Sequence, residues 1–287
     1  MVGIVLAGGK GTRQYPATKA LNKHLLMVYN KPLIYYPISI LMLAGIHDIV
    51  IVTNQEDIPS FYSLLGNGSA FGVKFSYVVQ EAPLGIAHAL KKVEEYVPKG
   101  RCVAVILGDN IFYGHGLPAL LNEAIAECHY GKAVVFGYRV KDPERFGVVE
   151  FDDNGNVISI EEKPEKPKSD FAVTGLYFYP YDVFRIIDRL SPSKRGEYEI
   201  TDVNKYYLKD RRLVVKLLGR GYAWFDAGTC DSFLEAGNFV RTIENRTGTL
   251  IGSVEEIAYN NGWISKAQLL KIAVEYPNGY GKYLKNL

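Results

Sequence analysis

The chain has 287 residues, of which 48% are hydrophobic, so it can bury a full core in one large α/β domain or two small ones. Its 33 basic and 31 acidic residues give a formal charge of +2, which argues against a general nucleic-acid or membrane-surface role. Three scattered cysteines, no apolar run near the roughly 18 residues of a membrane span, and no signal-peptide pattern predict a soluble, cytoplasmic protein without a disulfide framework.

Strand and helix patterns alternate through the first half of the chain. Apolar, β-branched strand patterns occur at 2–6, 48–54, 73–80 and 102–110. Helical patterns occur at 31–44, around Phe61 and at 85–96. Strands separated by helices indicate βαβ units, and therefore a mostly parallel sheet with helices on both faces.

The second half of the chain has a different pattern. Residues 146–164 form two alternating runs joined at Asp153-Asn154-Gly155, which predicts a hairpin. Two further strand runs, FAVTGLYFYP and RLVVKLLG, make the predicted sheet mixed, and the chain after about residue 247 has a helical pattern. We therefore predict an α/β domain at 1–247 and a small helical segment at 248–287 that packs on it.

The first strand runs directly into a glycine-rich loop with cationic side chains, in the stretch GIVLAGGKGTRQYP. A Walker A loop is excluded because Gly11 is followed by threonine and arginine, and a dinucleotide fingerprint is excluded because Gln14 occupies its third glycine position. The loop can still turn its backbone N–H groups to a phosphate, with Arg13 and Lys23 adding positive charge. An ordinary turn with solvated charges explains a lone loop of this kind equally well.

Charged residues follow several of the predicted strands. Asp109 comes just after a buried strand, where open α/β sheets bind ligands, and Asp226 follows a Trp-Phe pair. Glu162 and Lys163 end the second hairpin strand. From the residues alone, Asp109 could equally cap a turn, and the Glu-Lys pair could be an exposed strand end.

The segment GGKGTRQYPATKALNKHLLMVYNKPL closely resembles the signature of the sugar-1-phosphate nucleotidylyltransferases, G-G-x-G-T-R-L-x-P followed by a lysine and a K-P pair. The resemblance extends over essentially the whole chain, through LGDNIFYGHG, DPERFGVVEFD, RGEYEITDVN and DAGT. It implies a Rossmann-like nucleotide-diphospho-sugar transferase fold. It also implies Mg²⁺-dependent, in-line attack of glucose 1-phosphate on the α-phosphate of dTTP, which yields dTDP-glucose and pyrophosphate.

The same resemblance implies roles for individual residues. The implied catalytic residues are Arg13, Lys23 and Lys163. The implied nucleotide-binding residues are Gly8, Gly9, Gly11, Thr12, Arg13, His24, Gln80, Pro83, Gly85 and Asp109. The implied sugar-phosphate-binding residues are Gly147, Glu162, Lys163, Val173 and Arg195, with Glu197 beside them. The implied magnesium ligands are Asp109 and Asp226, and the implied assembly is a homotetramer with contacts from the C-terminal segment.

Three residues near the implied base site depart from the pattern of the dTTP-using members. Leu84, His88 and His24 stand where aspartate, glutamine and glutamine are common, and PLGIAHA is closer to UTP-using sequences. We expect both histidines to bind or pack, because a phosphate nucleophile needs no general base. Gln14 and Met27, where leucine and proline are usual, are expected to affect packing only.

Three alternatives to a dTTP enzyme stay open at this stage. A UTP-dependent or dual-specificity enzyme fits the departures near the base site. A catalytically silent, sugar-nucleotide-binding regulatory subunit is disfavoured, because all the implied charged site residues are present. A dinucleotide-dependent oxidoreductase is weaker still, given Gln14.

Overall fold

The computed structural model describes all 287 residues, as thirteen strands and ten helices. The strands are β1 Val2–Leu6, β2 Met27–Val28, β3 Lys31–Pro32, β4 Asp48–Thr53, β5 Lys74–Val79, β6 Val103–Leu107, β7 Asn110–Gly114, β8 Ala133–Arg139, β9 Gly147–Phe151, β10 Val157–Glu162, β11 Phe171–Tyr179, β12 Leu213–Leu218 and β13 Tyr222–Asp226. The helices are α1 Tyr35–Leu43, α2 Ile58–Leu65, α3 Ile86–Lys91, α4 Leu117–His129, α5 Val183–Ile187, α6 Ile200–Lys209, α7 Cys230–Thr247, α8 Val254–Asn260, α9 Lys266–Glu275 and α10 Gly279–Asn286. None of the helices is long and apolar enough to cross a membrane.

Nine strands form one central sheet in the order β10-β9-β11-β6-β1-β4-β5, with β8 joined to β11 and β12 joined to β8. Seven of these strands run in one direction, and only β10 and β11 run against them, which confirms the predicted mixed, mostly parallel sheet. β1 and β6 end side by side, because Leu6 pairs with Leu107. The loops that follow these two strands therefore leave the sheet at the same edge.

The central strands read as continuous apolar runs because both faces of the sheet are covered. Along β1, Ile4 packs into one buried cluster and Val5 into another, and neither side chain is exposed. The first cluster contains 26 buried residues and the second 39, so each face has its own core. Such a sheet is rigid, and its carboxyl edge is a firm support for the loops that follow the strands.

A short two-stranded ribbon lies outside the central sheet. β7 follows β6 after a two-residue break and pairs antiparallel with β13, so that Asn110 is opposite Asp226. The backbone N–H of Ala227 continues this pairing by donating to the carbonyl of Asp109 (2.9 Å). The ribbon, which the sequence patterns did not predict, brings two aspartates 117 residues apart to the same place.

The sequence-predicted helix at 31–44 is shorter in the structure. Lys31 and Pro32 form β3, and α1 begins only at Tyr35. Pro37 then falls in the first helical turn, where a missing N–H costs no intrahelical hydrogen bond.

The last three helices, α8 to α10, lie beyond α7, and α8 packs against α1. Buried polar contacts hold them. The Glu255 carboxylate accepts hydrogen bonds from the hydroxyls of Tyr280 (2.5 Å) and Tyr276 (3.3 Å). Nearby, Lys31 and Glu244 form a buried ion pair (2.9 Å) that ties β3 to α7.

Candidate active site

Two adjoining cavities open at the carboxyl edge of the sheet, with volumes of about 340 Å³ and 240 Å³. The larger lies over the ends of β1 and β6, and we call it the loop cavity. The smaller lies between β9, β10, β11 and β13, and we call it the inner cavity. Both are lined by Arg13, Leu107, Asp109 and Glu197, so a ligand in one would meet a ligand in the other at these residues.

The loop cavity collects most of the residues expected to bind a nucleotide. Its lining includes Gly8, Gly9, Arg13, Lys23, His24, Gln80, Pro83, Gly85 and Asp109. Two expected residues do not line it: Gly11 and Thr12 belong to the 3-10 turn that carries Arg13. Leu84 and His88 also lie outside its lining, and the His88 ring stacks on Tyr198 with centroids 6.2 Å apart.

Lys23 forms a nearly buried ion pair with Asp109 at the floor of the loop cavity. Burial opposes ionisation of Asp109, but the charge of Lys23, with smaller contributions from its other neighbours, outweighs that effect and lowers the pKa of the carboxyl group. Asp109 is therefore a carboxylate at neutral pH. The loop at residues 22–24 and the end of β6 are held together by this pair.

Asn22 fixes the position of that loop through both ends of its amide. Its Nδ2 donates to the Ala7 carbonyl (3.1 Å) and to Asp57 Oδ2 (2.7 Å). Its Oδ1 accepts from the backbone N–H (3.0 Å) and from Nδ1 (2.7 Å) of His24. Burial lowers the pKa of His24 to about 3, and the neighbouring Lys23 adds to the effect, so the ring is a neutral, anchored wall of the cavity.

Gly85 is required where the loop at 80–86 crosses the segment that follows β11 and α5. Its φ of +102° is in a region that side chains disfavour, and a Cβ atom there would lie 2.6 Å from the Tyr198 carbonyl oxygen. Hydrogen bonds from Tyr198 N to Leu84 O (2.8 Å) and from Ala87 N to Tyr198 O (3.2 Å) hold the two segments together. Leu84 and His88 thus contact Tyr198 at this crossing and do not line the loop cavity.

Asp226 stands beside Asp109 because of the β7–β13 ribbon. Burial, together with the charge of Asp109, raises the pKa of Asp226 to about 6. Asn110, buried between them, donates to Asp109 Oδ1 (3.0 Å) and accepts from the indole N–H of Trp224 (2.6 Å) and the N–H of Gly175 (3.0 Å). Two crowded carboxylates held in this way would gain from a cation between them.

The inner cavity collects all the residues expected to bind the sugar phosphate: Gly147, Glu162, Lys163, Val173 and Arg195. Arg195 is paired with Glu197 (2.6 Å) and reaches Glu162 and Glu199 at 3.7 Å each. Glu162 also accepts a hydrogen bond from the Thr201 hydroxyl (2.5 Å). The cavity is thus strongly polar: its carboxylates face the guanidinium groups of Arg13, Arg145 and Arg195 and the ammonium group of Lys163.

The inner cavity also contains residues that sequence reasoning missed. Tyr177, Glu199, Thr201 and Trp224 line it as well. Tyr177 lies within the run FAVTGLYFYP, where the sequence pattern shows a buried strand and nothing more. No sequence signal marks it, because its place in the cavity depends on partners distant along the chain, such as Asn110, whose Oδ1 would lie 2.6 Å from a Cβ atom added at Gly175.

Lys163 has a strained backbone with a φ of +43°, although it is not glycine. A left-handed residue of this type costs about 1–2 kcal/mol. Its N–H donates to the Phe146 carbonyl (2.9 Å), which anchors the end of β10 beside the start of β9. Strain of this kind is typical of functional positions that the surrounding structure holds in place.

Gln14 does more than pack, contrary to expectation. Its side-chain amide donates to backbone carbonyls just beyond Asp226, at Ala227 and Thr229. The turn that carries Arg13 is therefore tied to the strand end that carries Asp226.

A sheet edge with a glycine loop, cationic side chains and paired aspartates is the arrangement of an α/β protein that binds phosphorylated ligands. The family model described as nucleotidyl transferase matches residues 2–243. A glucose-1-phosphate thymidylyltransferase of Neisseria gonorrhoeae is 53% identical over 288 residues, which cover 100% of this chain and 99% of the relative. The chain therefore belongs to the nucleotidyl transferase family, which confirms the expected resemblance.

Two solved structures share the fold. A Bacillus anthracis structure described as a glucose-1-phosphate thymidylyltransferase in complex with sucrose is 44% identical, with a TM-score of 0.77 over 84% of this chain and 96% of that one. A UDP-glucose pyrophosphorylase complexed with UDP-glucose is 27% identical, with a TM-score of 0.73 over 84% of this chain and 98% of that one.

Proposed function

We propose that this protein makes dTDP-glucose and pyrophosphate from dTTP and glucose 1-phosphate. A phosphate oxygen of the sugar phosphate attacks the α-phosphorus of dTTP, a new O–P bond forms, and the bond to the bridging oxygen breaks as pyrophosphate leaves. The nucleophile is already an anion, so no basic side chain has to remove a proton. Holding two polyanions together and neutralising their charge is the main task of the site.

The observation that carries this proposal is the meeting of the loop cavity and the inner cavity at Arg13 and Asp109. One cavity has a glycine loop for a triphosphate, and the other has carboxylates that suit sugar hydroxyls beside a lysine that suits a phosphate. The names of the relatives that are 45–53% identical along the chain support the same substrates.

The three cationic residues have separate tasks in the proposed reaction. Arg13, at the border of the two cavities, stabilises charge on the departing pyrophosphate with its planar fork of donors. Lys23 steers the triphosphate, and Lys163 steers the phosphate of glucose 1-phosphate. No cysteine, serine or histidine nucleophile is needed.

The residues at the ribbon fit a magnesium ion. Mg²⁺ is commonly held by one or two carboxylates together with substrate phosphates and water, and the pair Asp109 and Asp226 is of this kind. No cluster of three or more His, Cys, Asp or Glu side chains exists to form an all-protein cage. When bound by the pair, Mg²⁺ would neutralise phosphate charge and polarise the α-phosphorus.

We propose dTTP, and not UTP, as the natural nucleotide. Two of the three sequence departures, Leu84 and His88, lie outside the lining of the loop cavity, so they do not argue against dTTP. The chain is also only 27% identical to a UDP-glucose pyrophosphorylase, but 53% identical to a relative named glucose-1-phosphate thymidylyltransferase.

The test is a matrix of dTTP, UTP, ATP and GTP against the 1-phosphates of glucose, galactose and mannose, read by mass spectrometry of the products. We expect the largest kcat/KM for dTTP with glucose 1-phosphate. A larger value with UTP would make the protein a uridylyltransferase, and no nucleotide sugar from any pair would disprove the enzymatic proposal.

We also propose that the protein assembles as a homotetramer through contacts that include residues 248–287. Large apolar side chains such as Val274 in this segment (68% exposed) and Met27 (67% exposed) remain on the surface of the single chain and suit an interface. Light scattering should give four times the chain mass of 32.1 kDa.

A further inference from the structure

Gln14 is buried, with 3% of its surface exposed, in the turn that follows the glycine loop. Its Nε2 donates to the carbonyl oxygens of Ala227 (2.9 Å) and Thr229 (3.3 Å), more than 200 residues away along the chain. Its Oε1 is buried without a hydrogen-bond partner. A buried amide oxygen without a partner lowers the stability of the fold, so any favourable contribution of Gln14 comes from the two hydrogen bonds that its Nε2 donates.

Those donations reach the backbone that carries Asp226. Ala227 follows Asp226 directly and is held from both sides, because its N–H donates to Asp109 O (2.9 Å) and its carbonyl accepts from Gln14. Thr229 is the N-cap of α7 and forms a capping box with Ser232. The strand end is thus fixed between β6, the Arg13 turn and a helix.

Arg13 lies close to the same backbone. A Cβ atom added at Gly228 would lie 2.8 Å from Nη2 of Arg13 and 3.0 Å from Oδ1 of Asp226. The guanidinium and the carboxylate therefore flank one glycine. Their backbones are joined by the Gln14 amide, so their spacing does not depend on a direct ion pair.

We propose that Gln14 is a positioning residue that holds the Arg13 guanidinium and the Asp226 carboxylate at a fixed spacing for one triphosphate and its metal ion. This inference rests on the proposed function, because it presumes that both charged groups act on the nucleotide. Gln14 itself touches neither substrate. Its effect passes through the backbone of residues 227–229.

Gln14→Met tests the role, because methionine matches the length of glutamine, lacks the donor and removes the unsatisfied acceptor. We expect kcat to fall about 10- to 100-fold, as for small displacements of reacting groups. The KM for glucose 1-phosphate and the melting temperature should change little. Binding of Mn²⁺ to the enzyme with a non-hydrolysable dTTP analogue, followed by electron paramagnetic resonance, should weaken in parallel without any turnover.

Gln14→Glu gives an independent readout. A protonated carboxyl group can donate to the Ala227 carbonyl, whereas a carboxylate cannot, so acidification should partly restore the activity of this variant relative to wild type at the same pH. Tyr179→Phe is the matched control. It removes a buried hydrogen bond to Asn204 (2.6 Å) at the last residue of β11, which does not line the inner cavity. This variant should be less stable than wild type but bind Mn²⁺ equally well.

Wild-type kcat and Mn²⁺ binding in Gln14→Met would overturn the inference, as would a Gln14→Glu deficit that does not shrink at low pH. Arg13→Ala and Asp226→Asn are measured alongside. If these two variants keep full activity, the proposed function fails; if they lose activity and the Gln14 variants do not, only the role of Gln14 fails.

Discussion

At the scale of single residues, the site separates charges that are paired from charges that are free. Lys23 is tied to Asp109, and Arg195 is tied to Glu197, whereas Arg13 is exposed and has no carboxylate within 4.0 Å. A free guanidinium at the border of the two cavities is available to an anionic ligand from the start. The Arg13 side chain should therefore matter for catalysis and little for folding.

Arg13→Ala should lower kcat by on the order of 10²–10³, the cost of removing one preorganised donor for developing charge. Steady-state release of pyrophosphate measures it. The control is Arg241→Ala, which removes an exposed guanidinium on α7, outside both cavities. Turnover of the Arg13 variant within twofold of wild type would exclude the assigned role.

Asp226→Asn should raise the Mg²⁺ concentration needed for half-maximal activity, because an amide is a weaker magnesium ligand than a carboxylate. The fold should survive, since Asp226 is crowded by Asp109 and the substitution relieves that repulsion. Asp231→Asn, on the exposed first turn of α7, is the control. Identical magnesium titrations for wild type and Asp226→Asn would remove this residue from the metal site.

The charged site residues could be predicted because each stands in a segment that resembles the family pattern, as Asp109 does in LGDN. Gln14 and Tyr177 could not, since each depends on partners distant in sequence. An amide after a glycine loop looks the same whether it faces solvent or the carbonyl of residue 227. Only the folded chain distinguishes these cases.

At the scale of elements, the β7–β13 ribbon sets the position of Asp226. The ribbon is tight at its far end, where a Cβ atom added at Gly114 would lie 2.2 Å from the ring of Tyr222. The two strands can approach this closely only because Gly114 has no side chain. A methyl group there should push the strands apart.

Gly114→Ala should cost about 1–3 kcal/mol of stability, as overpacking does in a filled interior. It should also raise the Mg²⁺ concentration needed for half-maximal activity, because the displaced strand carries Asp226. Gly219→Ala, where an added Cβ meets nothing within 4 Å, should change neither property. Chemical denaturation and magnesium titration together measure the effect, and a Gly114 variant with both properties intact would show that the ribbon tolerates displacement.

The C-terminal helices are held by a buried acid whose protonation should affect stability. Burial raises the pKa of Glu255 in the folded state above its unfolded value. Its contribution to stability is therefore complete below the unfolded pKa and is lost as the pH rises through the folded pKa. The Glu255→Gln variant has an uncharged amide at this position at every pH.

The melting temperature of wild type minus that of Glu255→Gln should accordingly fall between pH 4 and pH 7.5. Thermal unfolding followed by circular dichroism across this range measures the difference. The exposed Glu275→Gln should show no such trend. A difference that rises with pH for Glu255→Gln would contradict the sign of the shift.

At the scale of the whole molecule, the central sheet followed from sequence because buried parallel strands are long apolar runs, as in β1, β4 and β6. The β7–β13 ribbon and β3 could not be predicted from the sequence. β7 comes almost directly after β6, and β3 has only two residues, so neither leaves a periodic pattern. The proline-containing run at 31–44 looks helical throughout. In the folded chain its first two residues pair with β2 instead.

The pairing of β13 with β7 also affects how the protein is made. A nascent chain that has passed residue 107 already contains the strands that support the glycine loop, but Asp226 is synthesised 119 residues later. The second carboxylate and the carbonyls that accept from Gln14 are made together, long after the glycine loop. A chain that terminates before residue 226 should therefore be catalytically inert, however well its earlier strands have folded.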